Sequence, residues 1–194
     1  ANRTLEKHVD RVFLGFKDAE KYFKEPDKCV EAGNPVRNSF FTLDRREARK
    51  KLGFNHEDFI VFSFGGSLGA EKINEVAFEL MQLLNGHEGT AMVLGTGKWY
   101  YQDTLDKAAE RGIEIKDNIR IKDYIEDMEN YLAACDLVIS RAGALSVAET
   151  TVCGKAAVLI PSPNVTGNHQ YYNAKAVADR GGAVLIEEKD LTAE

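Results

Sequence analysis

The stretch VFSFGGSLGAEKIN, residues 61–74, contains the change of pattern that decides the fold. Its first four residues continue a run of bulky apolar side chains, which is typical of a buried strand. The run stops at Gly65, and after Gly69 the apolar residues recur at helical spacing. A strand that passes through a glycine-rich turn into a helix predicts the start of a βαβ unit, and the turn itself is a candidate ligand site.

The same alternation continues to the end of the chain. Predicted strands cover residues 59–64, 91–95, 119–124, 136–140, 157–161 and 183–188, and predicted helices cover 70–84, 100–111, 127–134, 145–153 and 169–180. Short strands separated by helices form parallel βαβ units with right-handed crossovers. The sequence therefore predicts an α/β fold, a doubly wound Rossmann-like parallel sheet that binds ligands at the carboxyl ends of its strands.

The first part of the chain has a different pattern. Residues 11–16 and 28–33 read as short strands around a helix at 17–23. Pro35 disfavours helix at Asn34, so a turn or linker is expected there, before a helix at 45–52. We predict a boundary between residues 1–36 and residues 37–194.

Composition excludes several classes of protein. The net charge is −6 and basic residues are interspersed with acidic ones, so no concentrated basic face for nucleic acid is expected. Apolar runs are far shorter than the roughly 20 residues that span a bilayer. Three cysteines at wide spacings fit neither a disulfide framework nor a zinc site, so we expect reduced thiols and a cytoplasmic location. No Asp-x-Asp pair lies at a predicted strand end, so no metal is expected, and no cofactor is expected either.

The glycine motif can be interpreted in two ways. Gly65, Gly66, Ser67 and Gly69 would let backbone amides approach a phosphate at the positive end of the next helix. The alternative is a tight turn without a ligand. The spacing is not Gly-x-Gly-x-x-Gly, and the next strand runs into residues 95–97, Gly-Thr-Gly, instead of ending in an acid, which disfavours a dinucleotide site.

Glu149 lies in the motif SRAGALSVAE, residues 140–149, at a second predicted strand end. An ionised carboxylate there can accept hydrogen bonds from both hydroxyls of a ribose. The alternative is a solvated surface acid.

A third motif, GNHQYYNA at residues 167–174, places polar groups on the first turn of a helix. His169, Gln170 and Asn173 can bind hydroxyls or a phosphate beside the free amides of that turn. The alternative is helix capping by Asn168 with exposed polar neighbours.

In this order and at these separations, the three motifs resemble the MurG family of bacterial transferases. That family adds N-acetylglucosamine from UDP-N-acetylglucosamine to undecaprenyl-diphosphate-linked muramoyl pentapeptide in peptidoglycan synthesis. Its GT-B fold has two Rossmann-like lobes, and the resemblance implies that this chain is the C-terminal, donor-binding lobe without its last helices. Residues 1–36 would be the end of the N-terminal lobe and a linker.

The resemblance also implies where the donor binds. The implied contacts are Gly65, Gly66, Ser67, Gly69 and Arg37 for the diphosphate, Glu149 for the ribose, His169 and Gln170 supported by Asn173 for the sugar, and Tyr124, Ile125 and Met128 for uracil, whose edge the main chain of Ile125 would read.

The implied reaction is an inverting glycosyl transfer without a metal, with the catalytic base and the lipid-linked acceptor on the N-terminal lobe. The fragment would bind the donor but be inactive alone, and the parent enzyme would be peripheral on the cytoplasmic face of the inner membrane. Two alternatives stay open: a natural nucleotide-sugar-binding subunit that needs a separate membrane partner, and a nonenzymatic UDP-sugar-binding domain.

Overall fold

The chain divides into two units, residues 1–36 and residues 37–194. The computed structural model describes residues 2–66 and 69–192, so the predicted phosphate contact Ser67 lies outside the described residues. The assignment of residues 1–36 to the end of another lobe stays a prediction.

The first unit contains helix α1 (Asn2–Leu5) and two short parallel strands, β1 (Val12–Leu14) and β2 (Cys29–Glu31). Its remaining helical turns are 3-10 segments, at Glu6–His8, Lys17–Tyr22 and Pro26–Lys28. The helix predicted at residues 17–23 is therefore present as a 3-10 helix.

The second unit is a six-stranded, fully parallel sheet in the order β5-β4-β3-β6-β7-β8. Its strands are β3 (Phe59–Phe64), β4 (Thr90–Gly95), β5 (Ile119–Lys122), β6 (Leu137–Arg141), β7 (Ala156–Ile160) and β8 (Val184–Leu185). Its helices are α2 (Ser39–Thr42), α3 (Arg45–Leu52), α4 (Glu71–Leu84), α5 (Tyr101–Glu110), α6 (Met128–Ala134), α7 (Ala144–Val152) and α8 (His169–Ala178). The predicted Rossmann-like fold is confirmed.

Burial explains why these segments form these elements. Strand β3 is buried from Ile60 to Phe64, as expected for a central strand covered on both faces. Helix α4 buries Ile73, Ala77 and Met81, which recur at helical spacing on its sheet-facing side. Two details differ from the prediction: α2 was not expected, and β8 is only two residues long.

An ion-pair network joins the elements at the amino end of the sheet. Arg49, only 1% exposed, donates to Asp136 Oδ2 at 2.6 Å and to the carbonyl oxygen of Ala134 at 2.9 Å. Asp136 Oδ2 also accepts from the backbone amide of Ile60 at 2.9 Å, and its other oxygen accepts from Arg45. The network ties α3 to the starts of β3 and β6.

Candidate functional site

The strand order reverses between β3 and β6, because β3 continues to β4 on one side and β6 continues to β7 on the other. In doubly wound sheets a ligand crevice forms at this switch point, outside the carboxyl ends of the strands. The glycine loop at residues 65–70 follows β3, and Gly143 precedes α7 after β6. Two of the three sequence motifs therefore meet at the switch point.

Close packing makes glycine necessary in the glycine loop. A Cβ added to Gly65 would lie 2.4 Å from the amide nitrogen of Ala70. Gly69 has φ +80°, and its added Cβ would lie 2.1 Å from the carbonyl oxygen of Thr96. The helix that follows begins at Glu71 with no side-chain cap from Ala70. The loop thus leads compactly to the positive end of a 14-residue helix, α4.

A cleft of about 660 Å³ opens over this loop, and we call it the glycine-loop cleft. Both of its cationic side chains are paired: Lys72 with Glu75 at 3.4 Å, and Arg141 with Glu188. Since both cations have carboxylate partners, they add little net positive charge. The cleft is lined by Gly65, Gly66, Gly69, Ala70, Glu71, Lys72, Glu75, Tyr100, Arg141, Gly143, Ser146, Ser162, Asn164, Gln170 and Glu188.

A second cleft of about 360 Å³ adjoins the first, and we call it the Ile125 cleft. Gly66 and Ser146 line both clefts, so the two lie side by side and share a wall. The lining of the Ile125 cleft is Phe64, Gly66, Gly95, Gly97, Asp123, Tyr124, Ile125, Met128, Leu145, Ser146 and Glu149. The structure therefore brings the predicted uracil and ribose residues together in one place.

Glu149 is the partly buried carboxylate of the Ile125 cleft. Burial raises the pKa of Glu149 above the usual carboxylate value, the Arg37 guanidinium opposes this, and the Glu129 carboxylate adds to it. Burial beside other charges is unlike the solvated surface acid that was the alternative interpretation.

Arg37 lines neither cleft. Its guanidinium donates to Glu129 Oε2 at 2.9 Å and lies over the ring of Phe40. The Arg37 side chain as a whole is 60% exposed. The structure thus places Arg37 on the Glu149 side of the site, and its predicted contact with a diphosphate stays a prediction.

The residues of α8 contact the loops that follow two strands, β7 and β6. Gln170 Oε1 accepts from the backbone amide of Ser162 at 2.9 Å, and Asn173 Nδ2 donates to the carbonyl oxygen of Ala142 at 3.1 Å. His169 is exposed, with Nδ1 2.9 Å from the carbonyl oxygen of Thr166. Asn168 precedes the helix with φ 51° and makes no side-chain cap, so the capping alternative is not what the structure contains.

Sequence comparison now adds to this geometry. The profile of the glycosyltransferase family 28 C-terminal domain matches residues 60–194. The chain belongs to this family. Its family 28 domain contains both clefts, since all their lining residues lie within the matched range.

Curated relatives carry one shared name. A relative from Acetivibrio thermocellus is 46% identical over 191 residues, covering 98% of this chain and 51% of its own. One from Alkaliphilus oremlandii is 40% identical over 193 residues, covering 100% and 52%. Both are named UDP-N-acetylglucosamine--N-acetylmuramyl-(pentapeptide) pyrophosphoryl-undecaprenol N-acetylglucosamine transferase. The chain spans about half the length of these relatives.

Solved structures agree with the fold. The crystal structure of Acinetobacter baumannii MurG matches with a TM-score of 0.64 and 27% identity, covering 95% of this chain and 53% of that one. The glycosyltransferase of kitacinnamycin matches with a TM-score of 0.65 at 15% identity, covering 96% and 44%, which bears on the fold alone. The predicted resemblance to the C-terminal part of MurG is confirmed.

Several residues of the family 28 domain's clefts were not predicted. Arg141 lies inside a quoted motif, yet its role at the cleft wall depends on Glu188, 47 residues away. Tyr100 lines the glycine-loop cleft and would be 2.8 Å, at Cδ2, from a Cβ on Gly69. Nothing in the local spacing of either residue marks it, because both act through partners that only the folded sheet brings near.

Among residues 2–66 and 69–192, no group of three or more His, Cys, Asp or Glu side chains could hold a metal ion. Within the same residues, no helix combines the length and the apolar character needed to cross a bilayer.

Proposed function

We propose that this chain binds the UDP-N-acetylglucosamine donor of an inverting N-acetylglucosaminyltransferase whose acceptor is undecaprenyl-diphosphate-linked muramoyl pentapeptide. The observation that carries the proposal is that two clefts lie side by side at the switch point and share Gly66 and Ser146 in their walls. A nucleoside diphosphate sugar needs one polar site for its diphosphate and an adjoining, more enclosed site for its nucleoside.

The diphosphate is assigned to the glycine-loop cleft. Gly65, Gly66 and Gly69 let the backbone approach closely, and the start of α4 supplies amide donors and the positive end of a helix dipole. These donors are fixed before the reaction, so they also stabilise the charge that develops on the leaving UDP. Arg37 would join them only by exchanging Glu129 for a phosphate.

The nucleoside is assigned to the Ile125 cleft. Glu149 accepts from the ribose hydroxyls, and uracil lies between Tyr124 and Met128. Among the described residues, no hydrogen-bond partner engages the backbone N–H or C=O of Ile125, which leaves both groups to read the base edge. Ile125 itself is 9% exposed and packs against Gly95, which holds its main chain in place.

The transferred sugar is assigned to the start of α8. The backbone amide of Ser162 donates to the side-chain oxygen of Gln170 and so fixes the orientation of the Gln170 side chain. The NH₂ group of Gln170 is then left to donate to sugar hydroxyls. His169 is exposed and adds a second polar group, while Asn173 holds the helix on the loop after β6.

The reaction needs groups from the rest of the protein. A base there removes the proton of the acceptor hydroxyl, the hydroxyl oxygen forms a bond to C1 of the sugar, and the C1–oxygen bond to UDP breaks with inversion. Residues 37–194 supply the donor site, and residues 1–36 are the end of the acceptor lobe with its linker. The chain alone is then a binding fragment, and the complete enzyme acts at the membrane that carries its lipid substrate.

Calorimetric titration of the chain with UDP, UDP-N-acetylglucosamine, UDP-glucose and NAD tests the proposal. We expect the uridine ligands to bind in preference to NAD. Glu149→Ala should weaken their binding about tenfold, because two hydrogen bonds to a charged acceptor are lost. Glu110→Ala, a change of an exposed glutamate at the end of α5, is the matched control and should have no effect. Absence of uridine binding, or equal binding of NAD, contradicts the proposal.

The raised pKa of Glu149 predicts a pH dependence. Only the ionised carboxylate accepts from both ribose hydroxyls, so uridine affinity should fall as the pH falls through this raised pKa. Uridine is the ligand of choice because it lacks phosphates that titrate. Glu149→Gln should bind more weakly and lose the acid-side dependence, and an unchanged pH profile in that variant would assign the titration to another group.

A further inference from the structure

The Gly-Thr-Gly loop at residues 95–97 contacts the walls of both clefts. Gly97 lines the Ile125 cleft, and the carbonyl oxygen of Thr96 packs against Gly69 of the glycine loop. Thr96 itself is 0% exposed and lines neither cleft. It is therefore placed to act on the ligand only through its neighbours.

One set of contacts fixes Thr96 relative to the glycine loop. Asn74 Nδ2 donates to the carbonyl oxygen of Thr96 at 2.8 Å, and Asn74 is 6% exposed. Asn74 lies on α4, the helix that follows the glycine loop. Its backbone N–H donates to the carbonyl oxygen of Ala70 at 2.9 Å. The hydrogen bond thus holds the Thr96 carbonyl against Gly69 from the helix side.

Another set fixes Thr96 relative to the Ile125 cleft. Its backbone amide donates to the carbonyl oxygen of Lys122 at 2.9 Å. Its hydroxyl lies 3.1 Å from that same oxygen and 3.1 Å from the carbonyl oxygen of Gly97, so its one proton is shared between two acceptors on this side of the site. Lys122 ends β5, three residues before Ile125. At Gly95, an added Cβ would lie 3.0 Å from Ile125 Cγ1, so the two loops are in close contact.

We infer that Asn74 and Thr96 are positioning residues that set the glycine loop and the Ile125 cleft in register for one ligand. This inference rests on the proposed function. The Asn74 hydrogen bond fixes the glycine loop, which forms the proposed diphosphate site. The Thr96 hydroxyl fixes the wall of the Ile125 cleft, which forms the proposed nucleoside site. Because both are buried hydrogen bonds within the protein, the spacing of the two sites is set before the donor arrives, which lowers the ordering cost of binding.

Substitutions of Asn74 and of Thr96 should change the affinities for UDP and uridine in different ways. Asn74→Ala releases the Thr96 carbonyl but keeps both bonds to Lys122, so UDP affinity should fall about tenfold while uridine affinity stays within about twofold. Thr96→Val keeps the side-chain volume and the Asn74 bond but removes the hydroxyl, so UDP and uridine should both weaken by the same factor, about fivefold. Calorimetry of both ligands against both variants measures this pattern.

Asn85→Ala is the matched control. Asn85 caps the opposite end of α4, and its Nδ2 donates to the carbonyl oxygen of Glu114 at 2.8 Å, the same kind of bond at the same length. The helix separates it from Asn74 by roughly 16 Å at 1.5 Å per residue. Uridine and UDP affinities should both be unchanged in this variant.

Amide exchange of Gly69, measured by NMR without ligand, separates the inference from the proposed function. Its N–H donates to the carbonyl oxygen of Gly66 at 3.0 Å and should exchange faster in Asn74→Ala but not in Asn85→Ala. If the unsubstituted chain binds neither uridine nor UDP, the proposed function fails. The exchange rate of the Gly69 amide still tests the positioning role of Asn74 in that case.

Equal losses for uridine and UDP in a folded Asn74→Ala, or no loss, would overturn the inference. So would unchanged exchange of Gly69. If Asn74→Ala does not fold, the affinities of Thr96→Val test the inference instead. A loss of affinity for UDP alone, or no loss of affinity for either ligand, contradicts the role given to the Thr96 hydroxyl.

Discussion

Asp136→Ala is expected to lower the free energy of unfolding by about 3–5 kcal/mol, the largest stability effect we predict for this chain. Asp136 is the counter-ion of Arg49, a guanidinium that is 1% exposed, and it also accepts from the amide of Ile60 in the central strand. Without the carboxylate, the buried guanidinium loses its counter-ion and keeps only backbone carbonyl partners, and the Ile60 amide loses its acceptor. Urea denaturation followed by circular dichroism measures the change.

Asp103→Ala provides the matched comparison. Asp103 also pairs with a cation at 2.8 Å, Lys107, but both side chains are about half exposed. Its removal should change stability by no more than about 0.5 kcal/mol. Adding Arg49→Met to Asp136→Ala should recover part of the loss, because the unpaired charge is then gone. A loss below about 1 kcal/mol for Asp136→Ala would mean that water or another carboxylate reaches Arg49.

Gly69→Ala is expected to weaken UDP binding about a hundredfold or more and to destabilise the fold by roughly 2–4 kcal/mol. The new methyl group would meet the backbone oxygen of Thr96 at 2.1 Å and the ring of Tyr100 at 2.8 Å, and φ +80° is strained for alanine. Relief requires the glycine loop to move, and this movement would distort the diphosphate site that we propose there. UDP calorimetry and urea denaturation measure the two effects.

Gly89→Ala separates backbone strain from collision. Gly89 has φ +73°, close to that of Gly69, but an added Cβ meets nothing within 4 Å. The substitution lies before β4, at the amino end of the sheet, and should cost about 1 kcal/mol while leaving UDP affinity unchanged. If Gly69→Ala behaves like Gly89→Ala in both measurements, close packing against Thr96 has no functional consequence.

Periodicity predicted the sheet well, because a central strand such as β3 carries an unbroken apolar run and a helix such as α4 repeats its apolar residues every three or four positions. The prediction was weaker where packing decides. Helix α2 is a single turn, too short for a period to appear, and the segment 183–188 forms only a two-residue edge strand before a 3-10 turn.

The residues of the candidate site also fall into those that the local sequence could predict and those that depend on tertiary packing. Glycines at a strand end and the short motifs around Glu149 and Gln170 could be recognised locally, since each marks a strand-to-helix turn. Asn74 and Arg141 could not be given a role, because their partners Thr96 and Glu188 are 22 and 47 residues away. Arg37 shows the converse limit: the family resemblance named it, but its position beside Glu129 depends on a contact across 92 residues.

The buried network of Arg49 and Asp136 lies at the amino end of the sheet, whereas both clefts lie at the carboxyl end. Strands of this length separate the two edges by roughly 17–20 Å, far enough for substitutions at each to act additively. Mutations that alter ligand preference at one edge therefore leave the main stabilising ion pairs intact. A fold arranged in this way can diversify toward new ligands during evolution without first losing its cooperative stability.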